Sequence, residues 1–258
     1  MQSNQERNRW SIVLGVAIFL ASLPVLLIAD SKQTATEEQE EEGHALVQGT
    51  REHREALSPR FGGFRARLRV RLDGEQHSGT LLFKPPRTVE VKLEDEEAQR
   101  SAEETLRSMI FHRMPPRKRD SSQPQKPLRM GTPDSHRLGR LVHLGDRFES
   151  SYRIRDNQIF EINRQMGDTR LVITVIENRF TPKGRHLPRH FLVTLFDLET
   201  GALKSASAYT DEYVEMEGNF LPKRRQITST RKGGTRNLDI LMEQIELLEE
   251  LKLTSSTE

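Results

Sequence analysis

The segment from Phe61 to Leu93 constrains the fold more than any other part of this 258-residue chain, because a two-residue alternation recurs along it. Apolar side chains occupy every second position from Phe64 to Leu72, and arginines fill the positions between them. This period is typical of a β-strand with one buried and one solvated face. The arginines of the solvated face, which we call the arginine ladder, are Arg65, Arg67, Arg69 and Arg71.

Two turn signals divide this segment into three antiparallel strands. Asp73 and Gly74 predict a tight hairpin turn, because glycine tolerates positive φ and such a turn matches the twist of the strands. Pro85 and Pro86 end the second strand, and the alternation then resumes as far as Leu93. The segment therefore predicts the start of an antiparallel meander.

Residues 1–29 are predicted to form a membrane anchor or signal segment. Ser11–Ala29 carries no charge, and it is long enough to span a bilayer and longer than the apolar core of most signal peptides. Basic residues precede it and glutamates follow it, so the N-terminus is expected in the cytoplasm and the rest of the chain outside. We therefore expect a single-pass protein of the cell inner membrane with an extracytoplasmic domain. Cleavage after Ala29 and secretion to the periplasm is the alternative.

Residues 30–42 are polar and acidic and predict a solvated spacer. Residues 43–249 are predicted to form an antiparallel β domain, followed by a tail at 250–258. Helices are expected near 43–57 and 95–111. The second is the stronger prediction, because apolar residues recur at helical spacing behind an acidic first turn.

A Pro-rich basic loop is predicted at 113–136, and short alternating strands return beyond Leu138. Residues 238–251 fit a helix and a strand equally well. The chain as a whole predicts an α+β fold that is mainly β. We expect a curved antiparallel meander sheet, whose curvature could reach that of a half-barrel. One or two helices pack against the sheet, and a single transmembrane helix precedes it.

Two of the later strands differ from the first because both of their faces are apolar. They are LVITVI at Leu171–Ile176 and FLVTLF at Phe191–Phe196. Both faces are therefore expected to be hidden, one under the helix at 95–111 and the other under a second helix, a loop, a partner or an apolar ligand. The candidate ligand-binding residues are Leu171, Ile173, Val175, Phe191, Val193 and Leu195.

Several motifs together resemble a bacterial family of proteins of unknown function, domain of unknown function 3386. They are FGGFRA at Phe61–Ala66, IFHR at Ile110–Arg113, and the long segment Tyr152–Leu203. The resemblance spans roughly Gly43 to Leu247 and implies no established activity. The segment Gly79–Arg87 is also similar to periplasmic lipoprotein-carrier (outer-membrane lipoprotein-sorting) proteins, in which a curved sheet shelters acyl chains against helices.

Composition excludes several classes of function. With 40 basic and 38 acidic residues, the net charge of +2 argues against a nucleic-acid-binding protein. Cysteine is absent from the sequence, which excludes disulfides, thiolate nucleophiles and sulfur-ligated metals. The sequence contains no phosphate-binding glycine loop, dinucleotide fingerprint or nucleophile elbow, so neither a cofactor nor a catalytic residue is predicted.

Two groups of polar residues have weak chemical interpretations. His186 and His190 could ligate a metal if they were helical, but Pro188 lies between them and no pair of carboxylates completes a site. Tyr209, Asp211 and Glu212 could serve an acid–base role, but strand alternation puts Asp211 and Glu212 on opposite faces. Solvated strand residues are the better interpretation, as they are for the basic run that ends at Arg225.

The arginine ladder has two interpretations. Each guanidinium could bind an anionic partner, such as a phosphate head group or a cell-envelope glycan. The ladder could equally be the solvent face of a strand, with carboxylates of a neighbouring strand as partners.

Three functions follow from these patterns. The first is a noncatalytic, membrane-anchored extracytoplasmic module that binds an apolar ligand, such as an acyl chain, a lipid or a lipoprotein, in its curved sheet. The alternative is a membrane-tethered protein-interaction or scaffold domain of the cell envelope, with the loop at 113–136 as its contact. The third is an envelope hydrolase, which requires a cleft where titratable groups converge.

Overall fold

The computed structural model describes residues 37–115 and 127–250. The predicted anchor at 1–29, the first part of the predicted spacer, the centre of the Pro-rich loop and all but the first residue of the predicted tail at 250–258 lie outside these ranges. Among the described helices, none is both long and apolar enough to span a membrane.

The described residues form two helices and one antiparallel sheet. The helices are α1 (Glu37–His53) and α2 (Glu96–Phe111). The strands are β1 (Phe64–Leu72), β2 (Glu75–Lys84), β3 (Thr88–Lys92), β4 (Arg129–Met130), β5 (Arg140–His143), β6 (Ser151–Arg155), β7 (Gln158–Met166), β8 (Thr169–Phe180), β9 (His186–Asp197), β10 (Leu203–Met216), β11 (Asn219–Arg231) and β12 (Gly234–Leu247).

All twelve strands join one sheet in the order β3-β2-β1-β12-β11-β10-β9-β8-β7-β6-β5-β4. The strands β3 and β4 are its two edges, so the sheet is open rather than closed into a barrel. The predicted mainly β antiparallel meander is therefore confirmed, and the helices form in the two regions where they were expected.

The opening hairpin forms as predicted. Leu72 pairs with Glu75 across a two-residue turn, in which Asp73 and Gly74 have φ of 49° and 99°. Positive φ at both positions gives the turn the twist that a tight hairpin requires.

The last strand pairs with the first and ends at Leu247, so residues 238–247 of the ambiguous segment 238–251 form a strand. Val70 lies beside Ile240 and Leu68 beside Met242, so these apolar residues share one face. A bulge then adds one residue to β12 near Gln244, whose φ is 49°. The inserted residue breaks the two-residue period, which is why the sequence also fits a helix here.

The helix α2 covers β1 and β3 with its apolar side. The Asp95 side chain caps the helix by accepting a hydrogen bond of 2.7 Å from the backbone N–H of Ala98. The main core contains aromatic and aliphatic side chains of this helix and of β1, β2, β3 and β12. Its fully buried members include Phe64, Val70, Phe83, Leu106, Ile110 and Ile240.

The helix α1 departs from the predicted boundaries. It begins at Glu37, inside the predicted acidic spacer, because glutamates in a first turn are stabilised by the helix dipole. It ends at His53 rather than at residue 57, because the backbone of Arg54 forms a β-bridge with His186. An ion pair of 2.9 Å between Glu42 and Arg140 joins its N-terminal half to β5.

The strand β4 lies inside the segment that was predicted as a loop at 113–136. Leu128 and Met130 are both buried, and Arg129 between them is exposed. They form a second core with Val47 of α1 and Val142 of β5. The loop prediction is therefore wrong at its C-terminal end, where apolar alternation is too short to recognise.

Both helices pack on the same face of the sheet, which we call the helix-bearing face. On this face, residues that pair from each strand to the next form one continuous row. The row begins in β4, which lies under α1, and ends in β11: Met130, Val142, Tyr152, Ile162, Ile173, Val193, Ser207 and Ser229. In β11, Arg225 has the same orientation as Ser229, and it pairs with Ile240 in the core under α2.

Truncating the α2 core should destabilise the protein strongly. The Leu106→Ala variant removes a fully buried side chain, so the free energy of unfolding should fall by about 2–5 kcal/mol. The neighbouring Arg107→Ala variant removes only an exposed ion pair with Glu103 and should cost less than about 1 kcal/mol. Urea denaturation measures both, and equal losses would contradict this packing.

Candidate functional site

The six apolar residues predicted from the sequence lie side by side on β8 and β9. The register pairs Leu171 with Leu195, Ile173 with Val193 and Val175 with Phe191. These three pairs are two residues apart along each strand, so all six share the helix-bearing face. We call them the apolar strip.

The apolar strip lies between the two helices and is only partly covered. Val175 is 8 % exposed, and the other five residues are half-buried. The helix α1 packs on β4, β6 and β7, and α2 packs on β1 and β3. Met109 of α2 also joins a buried cluster with Leu187 of β9, Tyr213 and Phe220, so the helix reaches the start of β9. It packs mainly on β1 and β3, and the expectation that the helix at 95–111 covers Leu171–Ile176 and Phe191–Phe196 is therefore wrong.

The opposite face of the same strands is also open. Ile176, the residue after Val175 in the chain, lies on this opposite face and is 62 % exposed. Leu192 of β9 lies on the same face and is 36 % exposed. The expectation that both apolar faces are hidden is thus not met by the described residues. The pairing of β8 with β9 shifts at this point, and Ile176 has no partner residue in β9.

A buried ion pair adjoins the apolar strip. The Nε and Nη2 atoms of Arg225 donate hydrogen bonds of 2.7 and 2.5 Å to the two carboxylate oxygens of Asp211. The Tyr213 hydroxyl donates to Asp211 at 3.3 Å and to the backbone oxygen of Pro188 at 2.9 Å. Burial and the Asp211 charge raise the pKa of Tyr213 above its ordinary range.

This ion pair corrects the interpretation of Asp211 and Arg225 as solvated residues. Their side chains are only 1 % and 7 % exposed, because the register places both on the helix-bearing face. The Arg225 guanidinium also lies over the rings of Phe191 and Tyr209, at 5.7 and 5.4 Å from their centroids. The sequence did contain one signal of this burial. Asp211 lies two residues from Tyr209 and two from Tyr213, so strand alternation places all three on one face.

The C-terminal ends of both helices meet near this ion pair. The backbone N–H of Glu55 donates to the His186 oxygen at 3.0 Å, and the N–H of Leu57 donates to the Arg113 oxygen at 2.8 Å. Burial lowers the pKa of His186 to about 4, and it also lowers the pKa of His112. Both imidazoles are therefore neutral at neutral pH.

The two histidines considered as metal ligands serve other contacts. His186 is buried beside Arg54, and His190 lies 3.4 Å from a carboxylate oxygen of Glu177. In the described part of the chain, no group of three or more histidine, aspartate or glutamate side chains is placed to hold a metal ion.

The arginine ladder lies on the face opposite to the helices. Arg65 forms an ion pair with Glu246, and Arg69 forms one with Glu243, both at 2.6 Å and both exposed to solvent. Cross-strand carboxylates of this kind favour the solvated-face interpretation. An anionic partner for the ladder stays a prediction.

Comparisons with known proteins identify a family but no function. The model of a family described as "Protein of unknown function (DUF3386)" matches residues 38–248, and no curated protein matches. Among solved structures, a LolA superfamily protein from Nitrosomonas europaea is 8% identical, with a TM-score of 0.29, over 80% of this chain and 94% of that chain. A putative outer membrane lipoprotein-sorting protein domain from Vibrio parahaemolyticus is 11% identical, with a TM-score of 0.31, over 85% and 95%.

Both resemblances noted in the sequence, to the family of unknown function and to lipoprotein-sorting proteins, recur in these matches. The TM-scores are too low for the function of either solved structure to transfer to this chain.

Removing one partner of the buried ion pair should be costly. The Asp211→Ala variant leaves the Arg225 charge buried and unpaired, so the free energy of unfolding should fall by about 3–5 kcal/mol. The exposed Glu215→Ala variant in the same strand should change it by less than about 0.5 kcal/mol. In urea denaturation the double variant Asp211→Ala/Arg225→Ala should lose less than the sum of the two single variants. Additive losses would show that the pair is not coupled.

Proposed function

The chain belongs to the family described as protein of unknown function (DUF3386), and we propose that it is a noncatalytic module whose sheet binds an apolar chain on the apolar strip. The incomplete burial of five of the six strip residues is the observation that carries this proposal. Single exposed apolar residues are ordinary, but adjacent ones on one face indicate a surface that is covered when the protein functions.

The strip has dimensions that suit an acyl chain. From Leu171 to Val175 it extends about 13 Å along the strand, and paired residues of β9 double its width. Each methylene group that is removed from water contributes about 0.8 kcal/mol. A chain that buried about eight methylenes would gain roughly 6 kcal/mol before the cost of being ordered. A single acyl chain is therefore sufficient for measurable affinity.

The chemistry of the buried polar groups supports binding rather than hydrolysis. Arg225 binds both oxygens of Asp211, and burial keeps the Tyr213 hydroxyl protonated. General acid–base catalysis needs a group that exchanges its proton near the working pH. These groups are committed to one another, so we assign them to the stability of the sheet.

We further propose that the module is tethered to the inner membrane and faces away from the cytoplasm. The support is in the sequence: the charge-free run Ser11–Ala29 with basic residues before it and glutamates after it. A module at that surface would meet lipids and lipidated proteins, which are the ligands that an apolar strip favours.

Two substitutions of the same chemistry on one strand test the binding proposal. Ile173→Gln puts an amide into the centre of the strip and should weaken binding of a fluorescent long-chain fatty acid about tenfold, since roughly 1–2 kcal/mol of apolar contact is lost. Ile176→Gln makes the same change on the opposite face of β8 and should leave binding unchanged. Fluorescence titration of the purified full-length chain measures both.

An unchanged affinity in Ile173→Gln, or an equal loss in Ile176→Gln, would refute the assignment of the strip. Mass spectrometry of protein extracted gently from membranes gives an independent readout. It should detect co-purified lipid, and less of it in Ile173→Gln than in Ile176→Gln.

The proposed orientation is tested separately by reporters fused to the C-terminus. An alkaline phosphatase fusion should be active and a β-galactosidase fusion inactive, because the first enzyme works only outside the cytoplasm and the second only inside. The reverse pattern would place the sheet in the cytoplasm and would exclude the envelope role.

A further inference from the structure

Four arginines in the described part of the chain have buried guanidinium nitrogens without a hydrogen-bond partner: Arg54, Arg113, Arg164 and Arg170. Arg54 and Arg164 are the two that interact with Tyr152, beside the apolar strip. The Nε atoms of Arg54 and Arg164 are both shielded from solvent, and neither has a hydrogen-bond acceptor among residues 37–115 and 127–250. Leaving a buried N–H unpaired is unfavourable, and more so when the group is charged. Such donors need an acceptor that the described residues do not supply, and buried water or a bound anion can provide one.

Arg164 lies directly at the edge of the strip. It pairs in the sheet with Leu171, the first residue of the strip, and its side chain is on the same face. Its Nη2 donates a hydrogen bond of 3.0 Å to the hydroxyl of Tyr152. The charge of Arg164 also acts on Asp146, but Oδ1 of that carboxylate accepts from the backbone N–H groups of Phe148 and Ser150.

Arg54 approaches the same tyrosine from the end of α1. Its backbone is fixed by the bridge to His186, and its side chain is partly buried. Burial and the charge of Arg51 lower the pKa of Arg54, and Tyr152 acts in the opposite direction. Tyr152 pairs laterally with Ile162, which pairs with Ile173 of the strip. Both arginines therefore interact with Tyr152, Arg164 through a hydrogen bond and Arg54 through its charge, on the β6–β7 side of the apolar strip.

Two other buried arginines nearby each have an anionic neighbour. Arg225 is paired with Asp211. Arg113 is attracted by Glu55 and donates from Nη2 to the backbone oxygen of Phe220, while its Nε and Nη1 also lack a hydrogen-bond partner. The positive charges of Arg54, Arg225 and Arg164 add to burial in lowering the pKa of His112, so all three lie near that imidazole. The region around Tyr152 thus carries an excess of positive charge that the described residues do not neutralise.

We infer that Arg54 and Arg164 bind the anionic head of an amphiphile whose apolar chain lies along the apolar strip. The head carries a carboxylate or a phosphate group, since a guanidinium presents several N–H donors in the geometry of these anions. The head lies by Tyr152, and the chain crosses β8 and β9. This inference rests on the proposed function and adds the chemical class of the ligand.

Ligands that share one chain and differ in the head test the inference. The full-length chain is held in nanodiscs of a zwitterionic lipid, and calorimetry compares decanoate, decyl phosphate, decanol and inorganic phosphate. We expect decanoate and decyl phosphate to bind at least about tenfold more tightly than decanol, because charged hydrogen bonds form only with the anionic heads. Inorganic phosphate should bind far more weakly, because it has no chain.

Variants then identify the donors. Arg54→Gln and Arg164→Gln should each remove most of the preference for the anionic heads and leave the affinity for decanol unchanged. Arg54→Lys keeps the charge without the planar fork and should retain part of the preference. Arg69→Gln, on the opposite face, should behave as the wild type. Melting curves establish that each variant is folded. The comparison of ligands on the wild-type protein tests the inference even if a variant does not fold.

The results distinguish failure of the head assignment from failure of the proposed apolar binding. If decanol binds as tightly as the anionic ligands, or if Arg54→Gln and Arg164→Gln both keep the preference, the head assignment is overturned and the apolar binding stands. If inorganic phosphate displaces decyl phosphate at similar concentration, the site binds free anions and the amphiphile assignment is overturned. If none of the three chain-bearing ligands binds, the proposed function itself fails.

Discussion

The pairing of β1 with β12 is the interaction on which the rest of this structure depends. It joins residues from the two ends of the described chain, and it converts two separate meanders into one sheet. Because β12 continues the register of β1, the apolar face under α2 becomes the same face that α1 covers at the far edge. Without this ladder the helices would cover two small sheets, and the surface between them would not exist.

A single wide sheet with a helix near each end has an uncovered centre. The strands β8 and β9 occupy that centre, and their half-buried apolar side chains follow directly from the positions of the helices. The buried pair of Asp211 and Arg225 lies where the covered part of the face gives way to the open part. A paired charge suits this boundary, because it tolerates burial on one side and adjoins an apolar surface on the other.

Local patterns were enough to predict β1–β3 and α2, since alternation, turn residues and an acidic cap are all read within about twenty residues. The identity of β12 was not predictable in this way, because a bulge at Gln244 breaks its period and only the partner strand specifies its conformation. The C-terminal end of α1 and the short strand β4 depend likewise on contacts with distant residues. These elements acquire their structure from packing rather than from propensity.

The candidate site also combines features that local patterns predict with features that only packing determines. Alternation within β8 and β9 identified which six side chains share a face, and the register places them together. Whether that face is covered depends on where α1 and α2 lie, which no local pattern records. The donors of Arg54 and Arg164 illustrate the limit most clearly, because they come from a helix end and a strand that are remote in sequence. Their common interaction with Tyr152 is a property of the assembled sheet, and so is the charge that it concentrates beside an apolar surface.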